Sequence, residues 1–222
     1  MAEHDEQQEV NRQTEKASRA AVARGENIQD EVRDITLKAL SQGHLDGQRI
    51  QQVIKAVIQG ATEGVEGAEG TQSRQILLNT MAGVDEALAK SAEASRLAIE
   101  EAAGHLKDFG TQDLKRALDD LLILDDLFID TVKDVAKSSQ ETVKETLNDL
   151  ARHARNSGTV VGSLATDTAE TLTSSLKKTL SDTVTTGSDS AMKRAAQLSQ
   201  AAAGFLEGIA DSLQAKNRSK EE

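Results

Sequence analysis

The sequence contains no proline, cysteine, tryptophan or tyrosine, and its only aromatic residues are Phe109, Phe128 and Phe205. Without proline, the chain lacks the residue that most firmly ends a helix, because the ring removes a donor and clashes with the preceding turn. Without cysteine, disulfides, thiolate metal sites and cysteine nucleophiles are all excluded. Aromatics are too few for most sheets of this size, and the β-branched residues follow helical rather than alternating spacing. No window approaches the roughly 20 apolar residues of a membrane span, so no transmembrane segment is expected. The opening MAEHDEQQEVNRQ has neither the basic nor the apolar region of a secretory signal, and a cytoplasmic location is expected. Net charge is −11 with no long Lys/Arg cluster, so no nucleic-acid partner is expected.

What remains is helix-forming. The apolar fraction of 37% is low and rich in alanine, which favours helix but buries little area. Long thin helices follow. The expected fold is all-α: an elongated antiparallel bundle of about four long amphipathic helices, near 5–42, 48–105, 111–157 and 160–215. Residues 1–28 read as a charged, partly ordered N-terminal segment and 29–157 as the helical core. Residues 158–215 read as a Ser/Thr/Ala-rich amphipathic helix, and 216–222 as a disordered tail.

The densest apolar stretch runs from Asp113 to Ala154. At about 100° per residue it places Leu114, Leu118, Leu121, Leu122, Phe128, Val132, Val135, Leu147 and Leu150 on one face, the expected core. Ile123, Leu124 and Leu127 form a second patch, so this stretch should meet more than one neighbour, and Leu124 joins the core set. Its stop is Asn156-Ser157-Gly158, where glycine suits the position after a helix.

Upstream, Ile54, Val65, Ile76, Ala87, Ala98 and Phe109 recur every eleven residues, a spacing that favours one nearly straight seam. Within it, Gly60, Gly64, Gly67 and Gly70 share a helix face. Two readings compete: weak helix, each glycine costing about 1 kcal/mol against alanine, or a flat surface for close helix approach. The acidic residues between them favour weakness.

Chemistry is sparse. Asp119, Asp120, Asp125, Asp126, Asp130 and Asp134 resemble a carboxylate cluster, but a dimetal bundle site also needs Glu-x-x-His motifs. Glu101 and His105 stand four apart with no second copy, and His4, His44 and His153 share no ligand spacing. An exposed acidic edge is expected instead. Asp125 alone falls in the apolar stripe and calls for a Lys or Arg partner. No nucleophile elbow or phosphate-loop glycine pattern occurs, so no enzyme, cofactor or metal is expected.

The phrases SRLAIEEAAG (95–104), DLKRALDDL (113–121), LFIDTVKDVAK (127–137) and LNDLARHARNSGTVVG (147–162) resemble an uncharacterised bacterial family of small all-helical proteins. That resemblance implies an all-α fold over about 29–165 and carries no activity. In composition the chain is also similar to phasins, the amphipathic coats of polyester granules. The functional expectation is a non-enzymatic structural or interaction protein, self-associating or bound to a helical partner. A phasin-like coat on a granule or lipid surface is second, and a carboxylate-based bundle enzyme third.

Overall fold

A computed structural model of the chain describes residues 2–42, 47–65, 70–104, 111–168 and 170; the side chains of 2–4, 95–96, 98–104 and 111–122 are not part of the description. Six helices pack together: α1 (Ala2–Arg24), α2 (Ile28–Leu40), α3 (Gly47–Gly64), α4 (Gly70–Gly104), α5 (Thr111–Ser138) and α6 (Glu141–Ser157). Residues 160–168 are helical as well, and no strand occurs among the described residues.

Three of the expected long helices are interrupted, which turns about four into six. The first breaks at Gly25 and Asn27, both at positive φ. The Gly25 amide donates back to Ala21 and Val22, closing α1, and α2 restarts after left-handed Asn27. The second ends at Gly64 and restarts at Gly70. Ile54, Val65, Ile76 and Ala87 are all buried, yet they belong to separate helices on either side of a break, so they do not form one seam. The third breaks at Ser139 and Gln140. Ser138 and Ser139 both donate their hydroxyls to the Val135 carbonyl, a competition that ends helices, and Gln140 is extended. The Asp113–Ala154 stretch is therefore a hairpin.

Each helix packs against the next one in the chain and against the one after that; no more distant pair makes an extensive contact. Odd and even helices thus form two layers. Within a layer, neighbours run parallel. Asn11 meets Gln52 at 3.3 Å, Ser18 meets Val57 at 2.7 Å and Arg19 meets Glu63 at 3.2 Å, so α1 and α3 advance together. Arg74 lies 3.8 Å from Asp149 and Asp85 bonds the amides at 160 and 161, so α4 runs with α6 and its continuation.

One hydrophobic cluster runs through the stack, with Val32, Ile54, Val57, Val84, Phe128, Val132 and Leu147 almost fully buried. Of the expected core set, Leu124, Phe128, Val132, Val135, Leu147 and Leu150 are buried, at 0–8% exposure. The side chains of Leu114, Leu118, Leu121 and Leu122 lie outside the described residues. The second patch divides: Leu124 turns inward, Leu127 is half-buried and Ile123 is 49% exposed.

The glycine face reverses its expected meaning. A Cβ on Gly60 would sit 2.1 Å from the Glu15 carbonyl oxygen, and one on Gly64 would sit 2.8 Å from Val22. Gly83 repeats the device between α4 and α2, 2.5 Å from the Gln29 carbonyl oxygen. Here glycine brings helix backbones together, so that α1, whose buried side chains are small, still has a closely fitted partner. Gly70 has open space around it, and Gly67 lies outside the described residues.

Candidate functional site

The polar centre of the molecule lies where α4, α5 and the start of the 160–168 helix meet. A helix N-terminus leaves backbone N–H groups without intrahelical partners. Here all three preceding the first intrahelical bond are satisfied. The Val160 and Val161 amides donate to the two oxygens of Asp85 on α4, at 2.8 and 2.9 Å. The Gly162 amide donates to Thr159 Oγ1 at 2.9 Å, in the manner of an N-cap. The Thr159 hydroxyl in turn donates to Asp125 on α5. Gly162 closes the knot: a Cβ there would stand 3.0 Å from the Asp125 carboxyl carbon.

Asp85 is therefore a long-range capping carboxylate. Burial pushes its pKa up, the Val161 and Val160 amides pull it down, and the charge of Asp125 adds to the upward side; the net direction is up. Sequence reasoning passed over Asp85. A carboxylate between Val84 and Ala87, both of which follow the apolar stripe, was the available signal. The cation expected beside Asp125 is replaced by a hydroxyl, because the N-cap threonine supplies a donor without a second buried charge.

The remaining aspartates of α5 form an exposed, cation-laced edge. Arg155 of α6 reaches Asp126 at 3.0 Å and Asp130 at 3.4 Å, and Lys133 also pairs with Asp130. Lys137 bonds Asp134 at 2.7 Å, and that hydrogen bond, followed by the lysine's charge, holds the carboxyl below its usual range. No group of three or more metal-ligating side chains occurs among the described residues. Asp119, Asp120, Glu101, His105, His4 and His44 lie outside the described side chains. His153 is exposed, with Nδ1 3.4 Å from the Ser157 hydroxyl.

A second concave feature lies at the opposite end of α5. Glu15, Gln59, Thr62 and Glu63 from α1 and α3 face Val135, Ser138, Ser139, Gln140 and Val143 across a cleft of about 300 Å³. The α5–α6 break that the sequence concealed builds one of its walls.

Fold and polar sites together define an all-α, two-layered stack of amphipathic helices whose described carboxylates serve largely in caps and ion pairs. The chain belongs to a family of unknown function, DUF6781, whose profile matches residues 3–215. No curated protein and no solved structure matches it. No helix among the described residues is long and apolar enough to cross a membrane.

Proposed function

We propose that this protein is a non-enzymatic structural or interaction protein of the cytoplasm, working through its long helix faces and through self-association. The observation that carries this reading is the pairing of ordered, inward-facing stripes with large apolar side chains left outside. Leu78, Leu97, Ile123 and Val160 are 40–59% exposed. Such residues serve as contact points when a second helical surface covers them. The α5 aspartates, the most catalytic-looking group in the sequence, support it too, since Arg155, Lys133 and Lys137 occupy them.

Sedimentation across a hundredfold concentration range tests the proposal. Wild type should associate reversibly, and Leu97→Ser with Ile123→Ser should shift the equilibrium towards monomer by at least tenfold. A protein that remains monomeric throughout, or variants that associate like wild type, would remove self-association. A phasin-like coat is the second reading, favoured by the thin stripes that an interface would open. Flotation with polyester granules separates the two: the first reading keeps the protein soluble with unchanged helicity, whereas quantitative transfer to granules establishes the coat.

A further inference from the structure

The cleft between α1, α3 and the α5–α6 turn has a lining whose chemistry is one-sided. Its volume of about 300 Å³ stands at the lower end of small-molecule sites. Three hydroxyls border it, and each spends its proton on its own chain. Thr62 donates to the Gln59 carbonyl at 2.8 Å, Ser138 to Val135 at 3.0 Å and Ser139 to Val135 at 2.9 Å. Their oxygens are left to offer lone pairs. Ionised carboxylates only accept, so Glu15 and Glu63 add acceptors to the same space. The facing wall, Val135, Ser138, Ser139, Gln140 and Val143, contains no charged side chain and two branched apolar ones.

We propose that this cleft binds a short aliphatic ammonium ion of the diamine class, its cationic end on Glu15 and Glu63 and its methylenes against Val135 and Val143. An anion is excluded by the two carboxylates. A neutral polyol would satisfy the hydroxyl oxygens but leave the acidic pair without a counter-charge. The groups that bear on the pair are few. Arg19 meets Glu63 at 3.2 Å on a side where both side chains are largely exposed, and Lys16 lies next to Glu15 in the chain. Burial first, and then the charge and hydrogen bond of Glu63, push the Glu15 carboxyl up; Lys16 only tempers this. A ligand ammonium reverses both effects, so binding draws a proton off Glu15 and releases it to the buffer. The close approach at Gly60 is what brings Glu15 to this position, since α1 lies backbone-on against α3 there.

Calorimetric titration of the full chain at neutral pH and low salt tests the site, with 1,4-diaminobutane as the probe and 1,4-butanediol and magnesium chloride as comparators. The expected result is saturable one-site binding of the diamine, with net proton release that shows in buffers of different ionisation enthalpy. Glu15→Gln, which keeps the side-chain size, should weaken binding at least tenfold and abolish the proton release. Thr62→Leu, which fills the cleft but retains both carboxylates, should weaken it as much. Asp134→Asn, on the exposed edge, should leave it unchanged. Circular dichroism checks that all variants keep wild-type helicity. Absence of saturable heat at millimolar diamine would overturn the proposal. So would diamine binding retained by either cleft variant, equal binding of butanediol, or displacement of the diamine by equimolar magnesium.

Discussion

Gly60 poses the sharpest question at the scale of single residues. In an exposed helix, replacing glycine by alanine gains about 1 kcal/mol from restricted unfolded-state freedom. At Gly60 the added carbon would meet the Glu15 carbonyl oxygen at 2.1 Å, and that oxygen belongs to a helix backbone that no rotamer change can move. Overpacking of this kind costs about 1–3 kcal/mol, so the clash outweighs the gain. Gly60→Ala should therefore lower the urea midpoint, while Gly70→Ala, with open space around it, should leave it equal or raised. A Gly60→Ala protein as stable as wild type would return this face to the weak-helix reading. Ser18 belongs to the same contact: fully buried, it bonds the Val57 carbonyl at 2.7 Å, a reach that the glycine spacing permits.

Among elements, the start of the 160–168 helix depends most on groups far away in sequence. Asp85 supplies two acceptors and a negative charge at a positive helix end, an arrangement that favours its ionised form. Burial acts first and in the other direction, and with Asp125 nearby it prevails, so the folded pKa lies above the unfolded one. For an acid so shifted, the stabilising contribution is complete below the unfolded pKa and is lost as pH rises through the folded value. The stability advantage of wild type over Asp85→Asn should therefore be larger near pH 4 than near pH 7. Urea unfolding of both proteins at the two pH values measures it; an advantage that shrinks on acidification would reverse the balance assigned here.

Elements also show what was readable in the chain. The α5 and α6 stripes and the stop at Gly158 were legible because large side chains at helical spacing and a glycine terminator are local signals. The break at Ser139–Gln140 was not, because the stripe continues across it: Val135 and Leu147 are both buried, one in each arm of the hairpin. Only the Ser138-Ser139 pair marks the turn, and hydroxyls also occur inside helices, as Thr131 does. Gly25 and Asn27 went unread beside a strong stripe on either side. Neither the acceptor-lined cleft nor the Asp85 knot is visible in one dimension. Each joins residues whose shared position exists only after the layers form.

For the whole molecule, packing against the next helix and the next but one makes the stack quasi-one-dimensional, as in helical-repeat arrays. Stability in such an object is close to a sum of terms between neighbours. Damage should stay near its source. Gly60→Ala should increase amide hydrogen exchange in α1 and α3 while leaving the protection of α6 within twofold of wild type. Exchange measured peptide by peptide by mass spectrometry decides this, and uniform loss of protection across all helices would mean that the stack unfolds as a single unit.

The order of contacts also fixes an order of assembly during synthesis. A chain emerging from the ribosome can close α1 on α3 before α5 has been made, because no extensive early contact awaits the far end. The bond from Val161 to Asp85 is the exception, spanning 76 positions. Until that residue emerges, Asp85 stands on a finished α4 with solvent in place of its amides. It is therefore among the last polar groups to find its partners, and it records that the second layer has been completed in register.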